Sequence, residues 1–198
     1  MRVLAGICAA GSSTRMGFDK LAAPLPPATT PRDTCLTRAC AASAHLDQCV
    51  ILPTPDHPYY AARKTLIGTA PSRCISGPFS NSLKALASAA HGYDGLLIQL
   101  ADMPHITRAH ITVLMDVFET HQGEAIVRAS DSEGRAGHPV LFPSQCFGAF
   151  EALDGDIGAH AIIARYPLKQ VVLSGDAATF DLDTPAAWQA FGPSAAQT

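Results

Sequence analysis

The sequence predicts an α/β protein: a three-layer sandwich with helices on both faces of a mostly parallel sheet. Three observations carry that expectation. Short apolar runs alternate with helical patterns along the chain. The first and fourth of those runs are almost continuously hydrophobic, as strands buried on both faces must be. Each of these two then runs straight into small or acidic residues rather than a hairpin turn.

Residues 3–8 are the first buried strand, ended by Ala9-Ala10-Gly11. Asp33 or Thr34 caps a helix that continues through Leu36, Ala39 and Ala42. A second strand covers 48–52 and stops at Pro53, a short helix follows over 58–67, and a third strand covers 73–75. Ser80 or Asn81 starts an alanine-rich helix to about His91. The clearest buried strand, 95–100, leads into Ala101-Asp102-Met103-Pro104. Residues 107–121 form a helix with Ile111, Leu114, Met115 and Phe118 on one face. Strands at 125–127 and 139–142 flank a polar, glycine-bearing turn. Helical segments at 146–153 and 158–166, a strand at 171–173 and a helix at 185–191 complete the chain. The proline-rich segment 24–31 is expected to be a mobile loop at the mouth of the site. Sheets of this kind bind ligands at the carboxyl ends of their strands, which singles out the residues after Cys8 and after Leu100.

Composition narrows the function classes. A length of 198 residues suits one domain spanning 1–198, and 47% hydrophobic against 16% charged residues excludes a disordered chain. A formal net charge of -3 leaves no basic surplus for a nucleic-acid polymer, although a few cations and amides suffice for a small anion. No run approaches the roughly 20 apolar residues of a membrane span. The opening apolar run is interrupted too soon, at Gly11, to be a secretory signal. The cysteines (Cys8, Cys35, Cys40, Cys49, Cys74, Cys146) form no CxxC pair, so a reduced, cytoplasmic protein without structural zinc is expected.

The loop after the first strand carries the chemistry. Ala9, Ala10 and Gly11 have almost no side-chain bulk, so their backbone can approach a phosphate or a base and donate amides to it. Ser12, Ser13 and Thr14 add hydroxyls, and Arg15 and Lys20 add two positive charges. This is not a Walker loop, because Phe18-Asp19 separate Gly17 from Lys20. Nor is it a dinucleotide fingerprint, because Ser13 stands at the second glycine position. Asp102, at the end of the most hydrophobic strand, suits a magnesium ion that bridges triphosphate oxygens, or it caps the turn at Pro104. Asp183 is a second candidate ligand, but Asp183 or Thr184 can equally be the N-cap of the helix that Pro185 begins. Two cations and two carboxylates together are what a magnesium-triphosphate complex requires.

The segment from Ala9 to Lys20 resembles the (L)AAGxSxRMGxxK signature of the molybdenum-cofactor-type nucleotidyltransferases. Later motifs follow in the family's order: Asn81-Ser82-Leu83, Leu100-Ala101-Asp102-Met103-Pro104, Gly137-His138-Pro139-Val140, Gly155-Asp156-Ile157-Gly158-Ala159 and Asp181-Leu182-Asp183-Thr184-Pro185. The chain is most similar to the molybdenum cofactor cytidylyltransferases, through Ala10-Gly11, Asp181-Leu182-Asp183 and Gly134-Arg135-Ala136-Gly137-His138-Pro139. The resemblance implies a Rossmann-like nucleotidyltransferase fold. It also implies transfer of CMP from CTP to molybdopterin with release of pyrophosphate, in the service of a molybdenum hydroxylase of the xanthine-dehydrogenase type.

By the same resemblance Asp102 and Asp183 hold magnesium, and Arg15 and Lys20 bind the triphosphate with Ala9, Ala10, Gly11, Ser12 and Ser13. Ser82 and Leu83 lie near the base, and His138 and Asp156 near the pterin. The chain departs from the pattern in its prolines between Leu21 and Leu36, in His160 where arginine is frequent, and in Asn81 where serine is common. Two rival readings stand beside this one. One is a guanylyltransferase using GTP, or a relative with another phosphorylated acceptor. The other is a non-catalytic carrier of the molybdenum cofactor.

Overall fold

A computed structural model describes residues 1–26, 30–156 and 158–191. Seven strands form one mixed sheet in the order β3-β2-β1-β4-β6-β5-β7. They are β1 (Val3–Cys8), β2 (Asp47–Leu52), β3 (Ser72–Cys74), β4 (Gly95–Leu100), β5 (Ile126–Ser130), β6 (Ala136–Pro143) and β7 (Leu168–Val172). Only β6 runs against its neighbours, pairing antiparallel with both β4 and β5. The helices are α1 (Cys35–Ala42), α2 (Tyr60–Ile67), α3 (Phe79–Ala89), α4 (Arg108–Thr120), α5 (His160–Ile163) and α6 (Pro185–Ala190), with a 3-10 segment over Ser144–Ala152. The α/β expectation and its mostly parallel sheet therefore hold.

Alternation along the strands builds the three layers. In β1, Val3, Ala5 and Ile7 face α1, α2 and α4, while Leu4 faces α3 and the 3-10 segment. Ile111, Leu114 and Phe118 sit on one stripe of α4 and are fully buried, each contributing roughly 2 kcal/mol of burial. Thr34 and Thr107 cap α1 and α4 through capping boxes, so Thr34 rather than Asp33 is the N-cap of the first helix.

Several boundaries differ from the expected ones for local reasons. Helix α3 starts at Phe79, before Ser80 and Asn81, because its end is met from a distance: Asp156 accepts the Phe79 amide at 2.7 Å and Gly155 the Ser80 amide at 3.1 Å. Strands β5 and β6 reach beyond their apolar centres to Ser130 and Ala136, where backbone pairing continues without hydrophobic side chains. The turn between them is tied by Asp131, whose buried carboxylate accepts from Arg135 and Thr179. Burial pushes that carboxyl up, but the Arg135 and Thr179 hydrogen bonds overrule it and hold it at about 2. Strand β7 lies at 168–172 rather than 171–173, since as an edge strand it exposes most of its side chains. The helix expected over 158–166 is only α5, preceded by Gly155 and Gly158 at positive φ.

The segment 24–31 is tied at both ends, by a bridge between Pro24 and Thr34 and by the Leu25 amide on the Asp33 carbonyl at 2.8 Å. Its residues 27–29, like Ile157 of the GDxGA-type motif, lie outside the described residues. Among the described residues no helix is long and apolar enough to cross a membrane, and all six cysteines are free thiols.

Candidate active site

Strands β1 and β4 are adjacent and parallel, with Cys8 level with Leu100. To one side of them the chain order runs to β2 and β3, to the other it continues past β4, so the crevice opens at the switch between the two. The loop 9–20 and the turn 101–104 leave the sheet there side by side. A third segment joins them: the Leu182 amide donates to the Asp102 carbonyl at 3.2 Å, which brings Asp183 to the same place.

The cleft formed by these three segments holds about 590 Å³, enough for a nucleotide. Lys20 is its centre. The Lys20 ammonium donates to Asp102 at 2.7 Å and also to Asp183, and Arg15 reaches the second Asp183 oxygen. Burial alone would depress the Lys20 ammonium, but the Asp102 and Asp183 carboxylates overrule it and raise its pKa. Burial raises the Asp183 carboxyl, and Lys20 and Arg15 more than reverse that, leaving it lowered. Asp183 is free for this because Thr184 caps α6, accepting the Ala187 amide at 3.1 Å with Pro185 at the first helical position. The Asp102 carboxylate likewise caps no turn among the described residues. Neither carboxylate serves as a cap among the described residues, and both line the cleft.

Gly11, Ser12, Ser13, Ala10, Arg15 and Ser82 line the same cleft. Among the described residues no acceptor meets the backbone amides from Ala10 to Arg15. Ser13 adopts φ 50° and its buried hydroxyl has no partner among the described residues. A non-glycine residue held in the left-handed region, with an orphaned donor beside it, is common where a loop is shaped for a ligand. Ala9 is fully buried behind the loop and does not line the cleft. The Cys8 thiol lines it but is no nucleophile, since burial and the Asp102 charge push it up to about 12.

A smaller cavity of about 170 Å³ adjoins the cleft and shares Phe79 and Asp156 with it. Leu83 and His138 line this second space, not the first. Asp156 stands between the two, with one oxygen committed to the Phe79 amide. Burial pushes His138 down to about 4, so its ring is neutral, and its Nδ1 has no partner among the described residues. Relative to an exposed histidine at 6.5, this favours the folded state fully above that pH and is lost as pH falls through about 4. The His138 ring resonances are accordingly expected to show no titration by NMR between about pH 5 and 8; a midpoint near 6.5 would contradict the burial.

Sequence reasoning missed three residues. Arg128 lines the second cavity, has no carboxylate partner among the described residues, and is depressed by desolvation. Nothing in the strand pattern flags it. Arg63 and Asp19 form a buried ion pair at 2.8 Å behind the loop. Their signal was Arg63 itself, four residues before Ile67 on the buried face of α2.

Among the described residues no three His, Cys, Asp or Glu side chains cluster as a metal site. Asp102 and Asp183, both held on the Lys20 ammonium, are two hard oxygen donors side by side, a number that fits magnesium, an ion usually bound by one or two carboxylates plus substrate phosphates and water.

The fold is shared with Rv0371c from Mycobacterium tuberculosis H37Rv, at a TM-score of 0.79 and 22% identity, covering 96% of this chain and 97% of that one. A structure of Rv0371C in complex with manganese, from the same organism, aligns at a TM-score of 0.75 and 20% identity over 98% and 100% of the two chains. In sequence, the chain is 27% identical over 191 residues to the purine catabolism protein PucB of Bacillus subtilis (strain 168), covering 89% of each. Residues 5–171, which contain the loop, Asp102 and both cavities' strands, match the model of the MobA-like NTP transferase domain, and the chain belongs to that family of nucleotidyltransferases.

Proposed function

We propose that this protein transfers CMP from CTP to the terminal phosphate of molybdopterin and releases pyrophosphate, with magnesium as cofactor. The observation that carries the reading is the meeting, in one cleft, of loop amides that meet no acceptor among the described residues, Arg15, Lys20 and the paired carboxylates Asp102 and Asp183. The choice of CTP rests on the likeness of Ala10-Gly11 and the 134–139 segment to the cytidylyltransferases. The name of PucB, a purine catabolism protein, is consistent with a product destined for a xanthine-dehydrogenase-type hydroxylase.

On this reading the loop amides, Ser12, Ser13, Arg15 and Lys20 receive the triphosphate, and Ser82, beside Leu83, borders the base. Asp102 and Asp183 would hold magnesium, which supplies charge neutralisation across the phosphate oxygens; the manganese complex of Rv0371C is in keeping with that. The acceptor enters from the smaller cavity, where Arg128, His138 and Asp156 stand. Its phosphate oxygen attacks the α-phosphorus in line, a new P–O bond forms, and the bond to the bridging oxygen breaks with pyrophosphate leaving. A phosphate nucleophile is already anionic near neutral pH, so no general base is required, and the neutral His138 and the un-ionised Cys8 are consistent with this. Alignment and electrostatic complementarity supply the rate. A non-catalytic carrier would not need two carboxylates converging on Lys20.

Turnover of CTP and GTP, each with magnesium and molybdopterin, separates the nucleotide choices. The expected result is a cytosine dinucleotide of the pterin, detected by mass, with CTP preferred at least about tenfold in kcat/KM. Preference for GTP, or turnover only with another phosphorylated acceptor, would replace this assignment while leaving the family intact.

A further inference from the structure

The largest fully buried side chain among the described residues is a cation: Arg63, in the middle of α2, has no exposed surface. A guanidinium out of water is unfavourable unless its donors are met. Here Nη1 donates to the Ala9 carbonyl at 2.7 Å and to the Gly11 carbonyl at 2.8 Å. Nε and Nη2 hold the Asp19 carboxylate at 3.1 and 2.8 Å, and the Tyr59 ring centroid lies 5.3 Å from the guanidinium carbon. One side chain therefore grips the loop where it leaves β1 and again just before Lys20.

Two consequences follow from that grip. The carbonyls of Ala9 and Gly11 are taken up behind the loop, while the amides from Ala10 to Arg15 meet no acceptor among the described residues. The Asp19 charge is neutralised away from the cleft, so it does not compete with an anionic ligand for its neighbour Lys20. Arg63 itself does not line the cleft.

We propose that Arg63 is the positioning residue of the triphosphate loop: from α2 it holds residues 9–20 in the shape that presents their amides and Lys20 to the phosphates. This rests on the reading that the loop binds a nucleoside triphosphate. Lysine in its place keeps the charge opposite Asp19, but a point ammonium cannot span two carbonyls and a carboxylate as the planar fork does.

The test measures KM for CTP and for molybdopterin separately, with kcat, in Arg63→Lys, Arg63→Met and Asp19→Asn. Binding of CTP is followed in parallel by the fluorescence of Trp188, the chain's one tryptophan, which packs on Phe18 of the loop at 5.1 Å. Arg63→Lys is expected to raise the CTP constant about tenfold and Arg63→Met about a hundredfold, with the molybdopterin constant within about twofold of wild type. Partial rescue by lysine and this split between substrates are readouts that a loss of fold would not give. Should Arg63→Met not fold, Arg63→Lys and Asp19→Asn carry the same comparison. Folded variants with wild-type CTP constants would overturn the proposal, as would constants that rise equally for both substrates. A wild-type protein that binds no nucleoside triphosphate would instead overturn the reading beneath it.

Discussion

Replacing Asp102 by alanine is expected to lower nucleotidyl transfer about a thousandfold or more while leaving the protein folded. Asp102 lies two residues beyond the central strand β4, half-buried, and shares the Lys20 ammonium with Asp183. Its removal takes away one of the two hard oxygen donors and half of the charge that holds Lys20 in place. The fold tolerates this because Lys20 keeps Asp183 as a partner, and the Asp102 carbonyl, which anchors the 181–184 segment through Leu182, belongs to the backbone. Circular dichroism and thermal unfolding check the fold; magnesium-dependent turnover checks the loss. Retained turnover in a folded Asp102→Ala protein would remove Asp102 from the metal assignment. The same logic makes Lys20→Ala a binding defect, seen by calorimetry as weaker nucleotide affinity, because Asp102 and Asp183 would then face the triphosphate with no ammonium between them.

The second large effect is on stability. A Cβ added at Gly137 would lie 1.7 Å from the Ala178 carbonyl oxygen and 2.6 Å from its carbon. Both are backbone atoms, and the same carbonyl accepts the His138 amide at 2.9 Å, so neither side can withdraw without breaking the join between β6 and the 177–179 segment. Gly137→Ala is therefore expected to destabilise by about 3 kcal/mol or more, lowering the unfolding midpoint by roughly 10 °C. It should also weaken acceptor use in whatever fraction stays folded, since His138 and the Arg128 bond to the Gly137 carbonyl move with it. A midpoint within a degree or two of wild type would show that the contact relaxes freely.

Much of the site was legible because its parts sit at the ends of the two most hydrophobic strands. Continuous burial in β1 and β4 marks them as central parallel strands, and the candidate site residues follow directly from where such strands stop. Capping was ambiguous in one dimension only: Asp183 and Thr184 are equally good N-caps by type, and only the packing of the 181–184 segment against Asp102 decides between them. What the sequence hid was long-range or unpatterned. Strand β7 pairs with a single neighbour and buries little, so no alternation marks its register. The Arg63–Asp19 pair joins residues 44 positions apart, a contact that neither helical nor strand periodicity encodes. Arg128 sits where its strand turns from apolar core to cavity wall, a change that depends on α3 and α5 lying opposite.

The central claim is that the cleft between the 9–20 loop, Asp102 and Asp183 performs nucleotidyl transfer from a bound triphosphate. Pyrophosphate release from a panel of nucleoside triphosphates, with magnesium and purified molybdopterin, tests it most directly. Release is expected to require the acceptor and magnesium, to be greatest with CTP, and to disappear in Asp102→Ala. Tight binding of the pterin with no pyrophosphate from any nucleotide would contradict it, and would make the protein a carrier of the cofactor in place of the enzyme that completes it.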